Sequence, residues 1–186
     1  MSDGTVVIGL GNPLMADDGA GLAALDRLRA FEFDPGVELV DGGTWGLSLL
    51  PVIEDAERLV LLDAINVGAR PGTIVVLERS QIPRYLSTKV SPHQIALSEV
   101  LALAELRGRL PRHTVAIGVQ PERVDLTAAL SPAVARQLDR VVSAAVSRLE
   151  EWGHFRVRSG ERGARSGSGA TVPSALHTPQ SAIDHA

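Results

Sequence analysis

The segment Gly9 through Gly21, Gly-Leu-Gly-Asn-Pro-Leu-Met-Ala-Asp-Asp-Gly-Ala-Gly, constrains this chain more than any other. It follows directly on the apolar run Thr5-Val6-Val7-Ile8. A buried strand here empties into a glycine turn, and two adjacent carboxylates, Asp17 and Asp18, meet the start of a helical pattern. That order puts acidic oxygens at the carboxyl edge of a sheet, where open α/β folds hold their ligands. Glycine lets the backbone turn sharply there and approach a ligand closely. The carboxylates can cap the helix or hold a cation.

The rest of the chain repeats the alternation. Strand-like runs cover 5–9, 37–41, 58–63, 73–78 and 113–119. Helical patterns cover 18–30, 47–55, 94–107 and 132–152. In the last of these, Val134, Leu138, Val141, Val142, Ala145 and Leu149 recur close to a 3.6-residue period. Ser131 before Pro132 reads as its cap. Strands alternating with helices predict a three-layer α/β fold, a mostly parallel five-stranded sheet with helices on both faces. The linker from Ala64 to Gly72 is too short for a helical crossover, so the third and fourth strands are antiparallel or loosely joined and the sheet can be mixed.

A chain of 186 residues makes one well-buried domain. Aromatic residues are only 3%, so Val, Leu, Ile and Ala must build the core. The absence of cysteine excludes disulfides, thiolate metal sites and a cysteine nucleophile. A net charge of -4, with no basic block in the apolar part of the chain, argues against a nucleic-acid surface, although the tail after Gly153 is locally basic. No apolar run reaches the length of a membrane span. The segment Met1-Ser2-Asp3-Gly4 does not open a signal peptide. The expectation is a cytoplasmic protein that does not insert into membranes and acts as a monomer. Composition shifts near Gly153 to a Ser/Gly/Arg/Pro mixture, which divides the chain into a domain at 1–152 and a disordered tail at 153–186. His113, His154, His177 and His185 read as surface or tail residues.

Polar groups follow three of the strands: Asp17 and Asp18 the first, Asp41-Gly42-Gly43-Thr44 the second, Asp63-Ala64-Ile65-Asn66 the third. In a parallel sheet these ends share one edge, so Asp18, Asp41 and Asp63 can converge on a crevice. His93, in Ser91-Pro92-His93-Gln94, precedes a helix and can reach the same edge. Two carboxylates and one imidazole with open positions suit a divalent transition metal such as Ni, Zn or Fe. Each residue also has a plainer reading. Asp18 can simply cap its helix, Asp41 can shape a turn, and His93 can be an ordinary residue of a helix start. Asp63 ends the apolar run Leu59-Val60-Leu61-Leu62, where a carboxylate needs a partner or solvent. Gly9-x-Gly11 also begins a dinucleotide fingerprint, with Asp41 placed for a ribose. Position 14 is Leu, however, and Pro13 removes a donor that a phosphate would use.

Together these segments resemble the hydrogenase maturation endopeptidases, which finish the large subunit of [NiFe] hydrogenases. The resemblance rests on Gly9 to Gly21, on Asp41 to Thr44, on Leu62-Asp63-Ala64-Ile65, on Ser91 to Gln94 with Leu97 to Ala104, and on Gly118-Val119-Gln120-Pro121. The stretch Tyr85 to Pro111 is similar to the branch serving membrane-bound uptake hydrogenases. The match runs over residues 5 to 152. It implies that Asp18, Asp63 and His93 contact a metal and carry the reaction, with Asp17 as a rival of Asp18. The family has been classed near aspartic proteases. The resemblance further implies that the metal is nickel presented by the large-subunit precursor, whose C-terminal extension is then cut off. Soft cysteine ligands would already hold the nickel, and a harder, incomplete site would bind its remaining positions without extracting it. Metal-polarised hydrolysis and general-base attack by water both fit. Gly9-Leu10-Gly11-Asn12-Pro13 also resembles the opening of peptidyl-tRNA hydrolases, though without their Asn/His pair. A non-catalytic chaperone that only binds the precursor's nickel site would use the same ligands.

Overall fold

A computed structural model describes residues 4–83 and 92–154, with the backbone alone for 92–96. The tail from 155 onward, including His177 and His185, lies outside the described residues. The strands are β1 (Thr5–Leu10), β2 (Val37–Gly43), β3 (Arg58–Ala64), β4 (Ile74–Glu78) and β5 (His113–Val119). The helices are α1 (Ala20–Leu28), α2 (Leu50–Asp55), α3 (Pro92–Leu106), the short α4 (Pro132–Ala135) and α5 (Leu138–Glu151). Tight turns of 3₁₀ helix precede α1 at Ala16–Gly19 and α2 at Gly46–Leu49.

The sheet order is β2-β1-β3-β5-β4, parallel except for the antiparallel β4–β5 pair. The expected mixed sheet is present. β3 and β4 do not pair, because β5 lies between them.

Side chains alternate across the strands and sort themselves into two cores. Val7, Val60, Leu62, Val115 and Ile117 face α1 and α5. Val6, Ile8, Leu59, Leu61 and Ala116 face α2 and α3. Asp63 continues the parity of Leu59 and Leu61, so it belongs to the α3 face.

The pattern over 132–152 predicts one helix, but the structure breaks it after Ala135 and restarts it at Leu138. Both pieces keep their apolar side on the core, which is why periodicity alone does not reveal the break. Ser131 caps the first piece, its hydroxyl accepting from the Val134 N–H at 3.2 Å. Arg148 of α5 grips Glu78 of β4 through two hydrogen bonds of 2.6 and 3.1 Å, which holds the Glu78 carboxyl below its ordinary pKa.

His154 corrects the expectation that it is a tail residue. It is only 6% exposed, with Nε2 2.7 Å from the Thr5 hydroxyl and Nδ1 3.1 Å from the Asp34 carboxylate. A carboxylate only accepts, so Nδ1 donates to Asp34, and Nε2 pairs with the Thr5 hydroxyl. This bond fastens the segment that follows α5 to the start of β1. His154→Ala should lower the melting temperature by about 2–8 °C, because it strands a buried hydroxyl. A melting curve matching the parent's would show that the clasp contributes nothing.

Candidate active site

Two neighbouring parallel strands, β1 and β3, position the candidate aspartates. In this order β1 and β3 are neighbours whose connections depart to opposite sides, and such a switch point opens a crevice at the carboxyl ends. Asp63 sits at the end of β3 and Asp18 in the turn after β1, and the turn packs against β3. Both side chains are buried, Asp18 at 3% exposure and Asp63 at 2%. Asp18 Oδ2 accepts the Asn12 N–H at 2.9 Å, and Asp63 Oδ1 accepts the Ala64 N–H at 2.8 Å.

Two glycines make the close packing feasible. Gly11 has φ +115°, and a Cβ there would meet the Asp18 carbonyl oxygen at 1.8 Å. Gly118 stands opposite Asp63 in the β3–β5 register, and its Cβ would meet the Asp63 carbonyl oxygen at 2.0 Å. Any larger residue at either position would push an aspartate out of place. The first of these contacts also answers the dinucleotide reading. Protein backbone, not phosphate, fills the space that Gly11 leaves, and a carboxylate already takes the Asn12 N–H.

Asp17 and Asp18 are adjacent and equally acidic in the sequence, yet they do different work. Asp17 is wholly buried. Its Oδ2 accepts the N–H groups of Glu122 and Arg123 at 2.9 and 3.1 Å, and its Oδ1 accepts that of Ser131 at 2.7 Å. Three backbone donors from the loop after β5 satisfy this carboxylate, which makes it a structural clamp. The reading of Asp18 as a helix cap does not hold: Gly19 occupies the cap position of α1 and no side chain caps it. Between strand and turn, Ala16 takes a left-handed conformation with φ +49°, the one non-glycine residue to do so among the described residues. Such strain persists where the surroundings over-determine it and gathers at functional sites. Here the Ala16 N–H is held by the Thr127 carbonyl at 2.6 Å.

Asp41 lies on β2 beside Gly9 and is exposed. The backbone of His93 lies in the first turn of α3. That helix must run from the carboxyl edge toward the amino edge, because β5 begins at the amino edge just beyond it. α3 packs on the sheet face to which Asp63 belongs. The His93 side chain lies outside the described residues. Among the described residues no three His, Cys, Asp or Glu side chains form a metal cluster.

Sequence reasoning gave Gln120 no role. Buried at 5% exposure, it accepts the N–H groups of Val67 and Ala69 at 2.9 and 3.1 Å and donates to Asn66 Oδ1 at 3.0 Å. It shapes the loop that leaves Asp63. The available signals were its place in the segment Gly118-Val119-Gln120-Pro121 and a polar residue directly after the apolar run Val115 to Val119.

Relatives share this architecture. A family model described as HycI, hydrogenase maturation protease, matches residues 24–148. The hydrogenase expression/formation protein HupD of Rhodobacter capsulatus is 41% identical over 151 residues, which is 80% of this chain and 72% of that protein. This chain belongs to the hydrogenase maturation protease family. The hydrogenase 2 maturation protease of Escherichia coli is 31% identical over 150 residues, 80% of this chain and 92% of its own length. Among solved structures, the hydrogenase maturating endopeptidase HybD from E. coli superposes with a TM-score of 0.79 at 29% identity, covering 83% of this chain and 96% of that one. The chain is therefore a peptide hydrolase of hydrogenase maturation, and the peptidyl-tRNA hydrolase and chaperone alternatives give way. No described helix is long and apolar enough to cross a membrane.

The two aspartates should separate cleanly by experiment. Asp17→Ala removes the partner of three N–H groups, the one on Ser131 fully buried, and should cost about 3 kcal/mol in urea unfolding. Asp18→Asn keeps an acceptor for Asn12 and should cost no more than about 1 kcal/mol, while abolishing activity. An Asp17→Ala protein as stable as the parent would refute the clamp.

Proposed function

We propose that this protease removes the C-terminal extension of a [NiFe] hydrogenase large-subunit precursor after nickel insertion, and that Asp18, Asp63 and His93 read the nickel. The observation that carries the proposal is the pair of buried carboxylates at the β1–β3 crevice in a chain of this family. Carboxylates and an imidazole are harder ligands than thiolates, so they can occupy open positions on a thiolate-held nickel without removing it. Three ligands leave the enzyme's own hold on nickel weak, and the chain has no cysteine to strengthen it. The nickel is thus substrate, and cutting is licensed by its presence. Whether water is activated by the metal or by a carboxylate, the same side chains are required. The compartment that goes with this reading is the cytoplasm, and the acting form is a monomer.

Two mixtures test it. Metal-free enzyme with nickel-loaded precursor should yield the shortened product by mass spectrometry. Nickel-treated, desalted enzyme with metal-free precursor should not. Cutting only in the second mixture would mark a conventional metalloprotease and end the nickel-sensing reading. Asp63→Asn and His93→Ala should each fold and each lose processing, and either one working near the parental rate does not belong in the site.

A further inference from the structure

The carboxyl edge of the sheet presents more than carboxylates. Eight large apolar side chains are exposed among the described residues, and six follow the carboxyl ends of the parallel strands. These are Leu14 after β1, Trp45 and Leu47 after β2, Val67 after β3, and Val124 and Leu126 after β5. The other two, Val76 and Leu106, lie on β4 and at the end of α3. Single exposed apolar residues are ordinary, but a concentration around one site marks an interaction surface.

The loops that carry these residues are tied to one another. The Gly11 N–H donates to the Gly43 carbonyl at 3.0 Å, joining the ends of β1 and β2. Met15 and Thr127 form an isolated parallel bridge between the loops after β1 and β5. Leu14 and Leu126 precede the bridged pair at matching register positions, and they are 59% and 83% exposed. The Val67 N–H is held by Gln120 at the end of β5. The apolar rim is thus organised before any partner arrives, which lowers the entropic cost of binding. Between its apolar residues stand charges of both signs, Asp41, Glu122, Arg123 and Asp125, so no single field selects a partner. Apolar contact must do so.

We propose that this rim docks an apolar surface of the hydrogenase precursor flanking its scissile C-terminal segment. This rests on the protease reading above. A peptide and a nickel that reach Asp18 and Asp63 must pass over these loops, so the rim is continuous with the site. It is not set apart on another face.

The test compares Leu14→Glu/Leu126→Glu with Leu106→Glu, a change at a leucine as exposed as Leu126 but away from the edge. Binding of nickel-loaded precursor is followed by calorimetry and cutting by mass spectrometry, with melting curves to verify folding. The rim variant should bind about ten-fold more weakly or worse. Its kcat/KM should fall by a similar factor while kcat at saturation holds. Leu106→Glu should match the parent in both. Parental binding by the rim variant overturns the proposal, as does a parent that fails to bind precursor. A parent that binds but does not cut, beside a rim variant that does not bind, supports docking while removing the nickel-licensed processing proposed above. Sedimentation covers a second copy as the occupant: a parent that self-associates and a rim variant that is monomeric yet processes normally would overturn precursor docking.

Discussion

The site depends on a carboxylate assigned no part in the reaction. Asp17 spends both its oxygens on three backbone N–H groups of the loop after β5. A buried charge without such partners would be prohibitively costly, so the loop and the turn at Ala16–Gly19 must close together. That closure fixes its neighbour Asp18, whose carboxylate accepts the Asn12 N–H. With the turn pinned from below by Asp17 and from the side by the Ala16–Thr127 bond, Asp18 has little freedom left. Preorganisation of this kind is what a ligand-reading site requires, since a loosely held carboxylate would pay its ordering entropy at every encounter.

The sheet supplies the second half of the same constraint. Strand order puts β1 beside β3, and parity turns Asp63 toward α3 and away from the α1–α5 core. Gly118 on β5 then lets the backbone of Asp63 pack without a side chain in the way. The ends of β1 and β3 thus bring Asp18 and Asp63 to one edge of the sheet because of pleat, order and two small residues. Apolar loops rim that edge. The opposite end of the sheet is closed by the Thr5–His154–Asp34 clasp. One end is built for contact and the other for fastening.

Much of this was legible in the chain. All five strands, their approximate ends and the Ser131 cap follow from apolar runs and local turn chemistry, which are short-range signals. Asp63 stood out because a carboxylate ending an apolar strand demands explanation. What was not legible is long-range. Nothing local distinguishes Asp17 from Asp18, since the donors that claim Asp17 lie more than a hundred residues away. The insertion of β5 between β3 and β4 is likewise a tertiary choice. His154 looked like the start of a tail because its partners, Thr5 and Asp34, are remote in sequence. The break between α4 and α5 hid inside a continuous apolar stripe.

The central claim is that the aspartates complete the coordination of a nickel that the substrate brings. X-ray absorption at the nickel edge tests it directly, using nickel-loaded precursor made uncleavable at its scissile bond. Adding metal-free enzyme should introduce oxygen or nitrogen ligands on the nickel while its sulfur ligands remain, and Asp18→Asn enzyme should introduce fewer. A nickel spectrum unchanged by the parent enzyme, in a complex shown to have formed, would contradict the account.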